Sequence, residues 1–314
     1  MADVSGGTSR EAAVRDALVF DAPLLLEPAY FEKPWGGRRL ADELGRRGMP
    51  AGPVGESWDV ADLPEHRSRV LTGPHAGRTL GQVWGSPYPL LIKVLDARED
   101  LSVQLHPDER AAAERGDAAV KEEAWVALAS GGEVALLDGA IDDIGDGAAL
   151  LQRMRRVPLD AGRADAPPTA VHVPPGTVHA ILGGCLLVEV QNPVDVTWRL
   201  YDHGRVGLDG QPRALHTAEA SPVLQRGPSE PPAITHGGRV VSGRRFRIDL
   251  MPAGNTSLPP SDAARVVVPL GDLRASTASG SVAVSRARAV VLPPPAVSIE
   301  ATDWNVLATA VGPA

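Results

Sequence analysis

The sequence predicts a mainly β protein built as an antiparallel sandwich or jelly roll. Short β-branched runs recur between turn residues, and the 33 glycines and 29 prolines of the chain supply those turns. Strands spaced in this way, about ten residues apart, are typical of antiparallel folds rather than of alternating strands and helices. Representative runs are AVHV, CLLVEVQ, VTWRLY, RVVVPL and AVSIE.

Helical patterns occur in a few places. The segment DERAAAERGDAAV (108–120) is rich in alanine and begins with acidic residues after a proline, as helix starts often do. A shorter candidate is ALLQRMRRV (149–157). Together these segments predict a small helical insertion at about 108–165.

The chain is expected to contain a catalytic domain followed by a second, smaller β-sandwich. RGPSEPPAITHGG (226–238) has the composition of a linker or wide loop. Seven of the eight histidines precede residue 217, and no His, Cys or Lys follows residue 238. We therefore place the chemistry in residues 21–225 and a structural β-domain in 226–314, with 1–20 as an N-terminal extension.

Charge and composition argue against several classes of protein. A net charge of −8 without a long basic run argues against a nucleic-acid partner. No stretch is apolar enough to span a bilayer, and the first twenty residues lack the apolar core of a secretory signal. Cys185 is the single cysteine, which excludes an intrachain disulfide framework. These features predict a soluble, cytoplasmic protein.

The stretch SVQLHPDE (102–109) places an amide and an imidazole close together. On a strand, Gln104 and His106 point to the same face because side chains alternate. The pair suggests a polar pocket, although these eight residues by themselves favour the simpler interpretation of a hydrogen-bonded pair at a strand end.

Three further segments interrupt the apolar pattern. In VKEEAWVAL (120–128), Glu123 shares a strand face with Lys121 and Trp125, whereas Glu122 points to the other face. In VPPGTVHAI (173–181), His179 follows a tight turn at the start of a strand. LLVEVQNPVDVTWRLYDHGR (186–205) carries Glu189 and Gln191 on one face and Arg199 on the next strand.

Four of these side chains form a coherent ligand set for a divalent metal. One amide oxygen, two imidazole nitrogens and one carboxylate suit zinc, with an open position for water or substrate; the ligands are Gln104, His106, Glu123 and His179. Glu123 could instead be a solvated strand residue, with Glu122 as the rival acid, and His179 could be a turn histidine. His172, His203 and His216 are interpreted as structural or surface residues.

The motifs together resemble those of the type I phosphomannose isomerase family, in its short bacterial form, within the cupin superfamily. The motifs are KPWGG (33–37), GESWDVAD (55–62), LIKVLDA (91–97), LSVQLHPDE, KEEAW, VPPGTVHAI and E-x9-R-x5-R (189–205). They run from residue 33 to residue 205 in the order of the family. KEE departs from the usual pattern of that motif, because it leaves a second acid beside the expected ligand.

The resemblance implies a cupin-type jelly roll that interconverts mannose 6-phosphate and fructose 6-phosphate with one zinc ion per chain. It assigns the metal to the four ligands named above and a catalytic role to Arg199 and Glu189. It also implies a sugar-phosphate pocket, whose residues are Lys93, Ser102, Lys121 and Arg205. Other metal-dependent cupin chemistry of the oxygenase type, or a non-catalytic sugar-phosphate-binding cupin, are the alternatives.

Aldose–ketose isomerisation requires groups of the types found here. A proton moves between C1 and C2 through an enediolate, so the site needs a base, an oxyanion-stabilising group and a fixed phosphate. A guanidinium stays protonated, so Arg199 is expected to act electrostatically on the enediolate or the phosphate. Glu189 is the first candidate for proton transfer, and a metal-bound hydroxide is the second.

Overall fold

A computed structural model describes residues 20–116, 119–235 and 239–312, and within them the chain is mainly β, as predicted. Residues 1–19 of the expected N-terminal extension lie outside the described part, as does His236 of the expected linker. No helix of the described residues is long and apolar enough to cross a membrane.

A seven-stranded antiparallel sheet, the central sheet, lies in the middle of the structure. Its inner strands are short and buried on both faces because other layers cover both sides. In spatial order they are β13 (Ala233–Thr235), β9 (Ala170–Val173), β6 (Glu123–Ala127), β11 (Leu186–Gln191), β4 (Leu91–Asp96), β3 (Val54–Val60) and β2 (Ala29–Gly37).

A five-stranded sheet, the site sheet, packs on one face of the central sheet. In spatial order its strands are β12 (Trp198–Tyr201), β5 (Val103–Leu105), β10 (His179–Ile181), β7 (Glu133–Leu136) and β8 (Arg155–Pro158). The two sheets share an apolar core that includes Leu95, Trp125, Leu136, Ile181 and Leu187. This pair of sheets forms the predicted sandwich.

Two more sheets follow in the C-terminal part of the chain. The six-stranded sheet contains β1 (Leu24–Leu25), β20 (Val290–Leu292), β17 (Arg265–Pro269), β22 (Asn305–Ala310), β15 (Phe246–Met251) and β14 (Arg239–Ser242). The four-stranded sheet contains β16 (Gly254–Leu258), β21 (Val297–Ala301), β18 (Leu273–Ser276) and β19 (Ser281–Val284). The second sandwich is therefore also present.

Alternation along the strands stacks these sheets into successive layers. On β17, Val266 and Val268 join a core with Val94 and Val126 of the central sheet. Val267, between them, points the other way into the core of the four-stranded sheet. Because one strand contributes to two cores, the two sandwiches pack directly against each other rather than forming separate bodies.

Short helices cap the layers. They are α1 (Arg39–Asp42), α2 (Leu80–Trp84), α3 (Glu109–Arg115), α4 (Gly147–Arg153) and α5 (Thr217–Arg226). The α3 helix begins at Asp108, whose carboxylate accepts the Ala111 N–H at 2.7 Å. It ends at Gly116, which adopts a left-handed conformation with φ of 68°. The α4 and α5 helices cover the outer face of the site sheet.

The interval 108–165, which the sequence predicts to be a small helical insertion, is not helical throughout. That interval contains α3 and α4 but also β6, β7 and β8, which belong to the central and site sheets. The candidate helix 149–157 likewise changes into strand β8 at Arg155. The apolar spacing of short segments does not separate a helical turn from a buried strand, since only sheet partners decide between them.

The chain division at residue 226 stays a prediction, and the two portions are interlocked. Strand β13, from the expected linker, pairs with β9 of the central sheet. Strand β1, from the N-terminal portion, pairs with β20 of the six-stranded sheet. The two portions thus exchange edge strands as well as sharing an apolar core.

A buried ion pair joins the two portions near β3. Arg46 contacts Asp59 at 2.7 Å, with the two side chains 6% and 1% exposed. The same guanidinium donates to the Ala287 carbonyl at 2.6 Å, and the Ala289 N–H donates to the Asp59 carboxylate at 3.3 Å. Ser57 also donates to this carboxylate.

We expect Asp59→Ala to lower the free energy of unfolding by about 3–5 kcal/mol, because it leaves the Arg46 guanidinium buried without its counter-charge. Urea unfolding measures this change. The matched control is Asp138→Ala, which breaks the exposed ion pair between Asp138 and Arg155 and should cost less than about 1 kcal/mol. Equal losses in both variants would contradict the argument.

Candidate active site

The candidate site lies between the central sheet and the site sheet, where two rows of polar side chains face each other. In the central sheet, Glu189 lies beside Trp125 on one neighbouring strand and Lys93 on the other. In the site sheet, Gln104 lies beside His179 and Arg199. Residues directly opposite in an antiparallel pair share a face, so strand register alone brings each row together.

Three of the predicted metal ligands form a compact cluster, the His–Glu cluster; they are His106, Glu123 and His179. The Glu123 carboxylate contacts His106 Nε2 at 3.1 Å through one oxygen and His179 Nε2 at 3.2 Å through the other. The ligand atoms of the three residues lie within 4.8 Å of one another, and all three side chains are buried. Gln104 lies in the strand next to His179 and lines the adjoining cavity.

Electrostatics hold this cluster in the protonation state that metal ligands need. Burial alone would raise the pKa of Glu123, but Lys121, His106 and His179 lower it well below its usual value. Burial, with the nearby Lys121 charge, lowers the pKa of His106 to about 4. Burial also lowers the pKa of His179. An ionised carboxylate and two neutral imidazoles result at neutral pH.

The buried polar atoms of the cluster fit a bound cation. His179 Nδ1 donates to the Thr177 carbonyl at 2.9 Å, which leaves an unprotonated Nε2 facing Glu123. That Nε2 and the nearest Glu123 oxygen are both buried without a hydrogen-bond partner. Two acceptors at this separation repel each other unless a positive ion lies between them, so the residues fit a divalent metal.

The neighbouring acid, Glu122, has a different role. It points away from the cluster, accepts a hydrogen bond from His172 at 2.9 Å and also accepts the N–H groups of Arg244 and Arg245. Although burial raises the pKa of Glu122, these hydrogen bonds from His172 and Arg245 lower it overall. The predicted face of each acid is confirmed, and His172 is a structural partner, as expected.

A polar cavity of about 230 Å³ opens beside the cluster. It lies between the two sheets, and charged side chains dominate its walls. Five predicted site residues outside the His–Glu cluster line it, together with Gln104; these are Lys93, Ser102, Lys121, Glu189 and Arg199. The structure therefore brings together most of the set that the sequence singled out.

A network of ion pairs occupies the central-sheet wall of the cavity. The Lys93 ammonium lies 3.4 Å from Glu189, 3.5 Å from Asp195 and 3.9 Å from Glu56. Burial alone would lower the pKa of Lys93, but these three carboxylates raise it. For Glu56, burial alone would raise the pKa, but the charges of Lys33 and Lys93 lower it to about 2. The charges on this wall thus compensate one another.

Glu189 is oriented by two further contacts. One of its oxygens accepts the indole N–H of Trp125 at 3.2 Å, and the other faces Lys93. The Trp125 ring also packs edge-on against His179, with ring centroids 5.4 Å apart. The tryptophan therefore fixes the carboxylate relative to the His–Glu cluster.

Arg199 lies on the opposite wall, at the end of the site sheet. Its guanidinium donates to the Ala214 carbonyl at 2.9 Å, while its Nε is buried without a partner. Burial lowers the pKa of Arg199, and the nearby charge of Arg213 lowers it further. Arg199 forms no ion pair with a carboxylate among the described residues, which leaves its charge available inside the cavity.

Arg205, which the resemblance assigned to the sugar-phosphate pocket, does not line the cavity. Its guanidinium donates to the main-chain carbonyl of Asp100 instead. The chain turns at Gly204, which has φ of 68°, and this reverses the direction expected from a continued strand. Sequence spacing alone could not show this turn.

Several cavity residues were not predicted from the sequence. Lys33, Trp35 and Glu56 fall in the KPWGG and GESWDVAD motifs, which carried the resemblance but received no role. Asp195 and Thr197 follow the Asn-Pro turn, and no pattern marked them. Arg213 lies outside every motif and reaches the cavity through the fold of its loop.

Comparisons with known proteins agree with this geometry. Residues 24–128 match the family model of the phosphomannose isomerase type I catalytic domain. The chain is 37% identical over 225 residues to a probable mannose-6-phosphate isomerase, GmuF, of Bacillus subtilis, which covers 64% of this chain and 68% of that protein. It is 33% identical over 225 residues to mannose-6-phosphate isomerase ManA of the same organism, covering 65% and 68%.

Solved structures show the same fold. The crystal structure of mannose 6-phosphate isomerase from Bacillus subtilis superposes with a TM-score of 0.76 at 25% identity, covering 91% of this chain and 99% of that one. A putative mannosephosphate isomerase from Archaeoglobus fulgidus reaches 0.68 at 16% identity, covering 94% and 99%, and supports the fold alone. The fold and the site thus define a cupin-type aldose–ketose isomerase. More specifically, the chain belongs to the type I phosphomannose isomerase family.

The two adjacent acids offer a matched test of the metal cluster. We expect Glu123→Gln to remove nearly all bound divalent ion, because it replaces the central anionic ligand. Glu122→Gln should keep the ion but lower the free energy of unfolding by about 1–3 kcal/mol, because a buried hydrogen-bond acceptor is impaired. Metal analysis of the purified proteins and urea unfolding distinguish the two effects, and the reverse pattern would refute the assignment.

Proposed function

We propose that this protein is a zinc-dependent isomerase that interconverts mannose 6-phosphate and fructose 6-phosphate. The observation that carries the proposal is the cavity lined by Gln104, Glu189 and Arg199, which opens beside the buried cluster of His106, Glu123 and His179. Proton transfer between adjacent carbons needs these elements: a base, a stabiliser of developing negative charge and a fixed substrate.

The metal would be one zinc ion held by Gln104, His106, Glu123 and His179. When bound there, zinc polarises a substrate oxygen as a Lewis acid without changing its oxidation state. Lys121 contacts the Glu123 carboxylate at 2.7 Å and also lines the cavity, so it would orient the ligand while facing the sugar.

Glu189 is proposed to move the proton between C1 and C2. Lys93 and the Trp125 indole hold its carboxylate toward the cavity, which restricts the direction in which it can accept the proton. A positioned carboxylate of this kind accelerates proton transfer by roughly 10²–10⁴-fold. Both carbons of an enediolate are within reach of one such carboxylate, so it can return the proton to either carbon.

Arg199 is proposed to stabilise the enediolate oxygens as negative charge develops. It lies beside Gln104 in the site sheet, and both side chains line the same cavity. Its unpartnered Nε offers a donor already freed from water. Such preorganised donors stabilise a transition state more than the ground state.

Ser102, Lys93 and Lys121 are proposed to contact the sugar phosphate along the cavity walls. Lys93 is already surrounded by carboxylates, so we assign it chiefly to the sugar hydroxyls and to holding Glu189. Ser102 is buried next to the site sheet and lines the cavity.

The primary test is a coupled assay with mannose 6-phosphate. Turnover should fall to near zero after chelation and return on adding zinc, because the metal cluster is part of the site. Free mannose should be a very poor substrate for the same preparation, since it lacks the charged group that the cationic side chains would hold. Full activity in a protein shown to be free of metal would overturn the zinc assignment.

The role of Glu189 has its own test. Glu189→Gln keeps the shape of the side chain but removes its ability to accept a proton, so kcat should fall by roughly a hundredfold or more with bound metal unchanged. Incorporation of solvent deuterium into the substrate, measured by NMR, should fall in parallel. A near-wild-type exchange rate would assign the proton transfer to another group.

A further inference from the structure

The loop that follows strand β12 forms an outer wall of the cavity. Its return segment is fastened to the strand, because Arg199 and His216 exchange two hydrogen bonds, 2.8 Å from the His216 N–H to the Arg199 carbonyl and 3.1 Å from the Arg199 N–H to His216 Nδ1. The Ala214 carbonyl accepts from the Arg199 guanidinium. The loop is thus fastened to Arg199, one of the residues that line the cavity.

Arg213 is the cation that this loop delivers to the cavity. Its guanidinium pairs with Asp202 through two hydrogen bonds of 2.7 Å and 2.5 Å, and the two side chains are 19% and 6% exposed. Paired nitrogens of a guanidinium fork fix its plane, so Arg213 is held in one orientation. It lines the cavity together with Arg199.

The charges of the cavity differ between its two walls. On the central sheet, Lys33 contacts Glu56 at 2.9 Å and Lys93 contacts three carboxylates, so both ammonium charges are compensated. Lys121 is compensated by Glu123. On the site-sheet wall, the described residues supply Arg199 without an ion-pair partner and Arg213 with one. Because Asp202 compensates Arg213 and no described carboxylate pairs with Arg199, the Arg199–Arg213 end carries a net positive charge.

Strand order places this end away from the metal cluster. The row of polar side chains on the site sheet begins with His179 on β10. It continues with Gln104 on β5 and ends with Arg199 on the edge strand β12. Adjacent strands are about 4.8 Å apart, so Arg199 lies roughly 10 Å from β10 and the loop lies beyond it. A hexose 6-phosphate carries its reacting carbons and its phosphate at opposite ends. With the reacting carbons between the His–Glu cluster and Arg199, the phosphate would lie beyond Arg199, beside Arg213.

We propose that Arg213, held by Asp202, binds the phosphate of the substrate at the outer end of the cavity. The identity of that phosphate rests on the proposed function, whereas the anion site itself rests on the Arg213 guanidinium, which lines the cavity and is held by Asp202. Arg213 thus has the phosphate-binding role that the resemblance assigned to Arg205. It lies on the wall opposite Lys93 and the three carboxylates that surround Lys93.

The test compares Arg213→Gln with the wild-type protein. We expect KM for mannose 6-phosphate to rise by roughly tenfold to a hundredfold, as for the loss of a charge-assisted hydrogen bond, with kcat changed by less than about threefold. The inhibition constant of inorganic phosphate should rise by a similar factor. Arg213→Lys should restore part of the loss, because it keeps the charge without the fork.

Two further variants serve as controls. Arg155→Gln removes another arginine that forms two hydrogen bonds with an aspartate, but it is exposed on β8 and should leave KM and phosphate inhibition unchanged. Arg205→Gln removes the arginine on the same loop that faces Asp100, and it should change KM by less than about twofold. A larger effect of Arg205→Gln than of Arg213→Gln would overturn the proposal.

A purely structural role for Arg213 gives a different result. Arg213→Gln would then lower the thermal midpoint while leaving KM and phosphate inhibition at wild-type values, and that outcome would also overturn the proposal. Calorimetric titration of inorganic phosphate into wild-type protein and Arg213→Gln tests the anion site without turnover. Weaker phosphate binding by the variant would support the site even if the wild-type protein failed the isomerase assay.

Discussion

The buried carboxylate of Glu123 is the constraint on which the site depends. A carboxylate is costly to bury unless opposite charges and hydrogen-bond donors surround it. Here Lys121 and two imidazoles supply that environment, and each comes from a different segment of the chain. The sheets must therefore meet in one register for the carboxylate to be stable, and a bound cation would complete the compensation.

That requirement explains the layered architecture. The central sheet is covered on one side by the site sheet and on the other by the six-stranded sheet, so its strands cannot slide without exposing apolar side chains. The ion pair of Arg46 with Asp59 adds a polar contact between the portions. Although the C-terminal sandwich contributes no predicted ligand, it supports the back of the sheet that carries Glu123 and Glu189.

The two walls of the cavity carry different charges, and this difference suits one wall to proton transfer and the other to anion binding. The central-sheet wall holds compensated lysine–carboxylate pairs, which suit hydroxyl groups and a proton-transferring Glu189. The opposite wall holds arginines with excess positive charge, which suit an anion. The substrate orientation proposed above follows from this asymmetry rather than from any one residue.

The sequence by itself determined the β class and the two sandwiches, and it singled out the side chains that the structure gathers in the His–Glu cluster, because alternation on strands and the ligand chemistry of His and Glu are local properties. Even the separation of Glu123 from Glu122 followed from the two-residue period of a strand. The extent of the helical insertion, the interlocked portions, the exclusion of Arg205 and the entry of Arg213 were decided only by the tertiary structure. They depend on which strands pair and on where a loop turns at Gly204, and these are set by contacts between residues far apart in the chain.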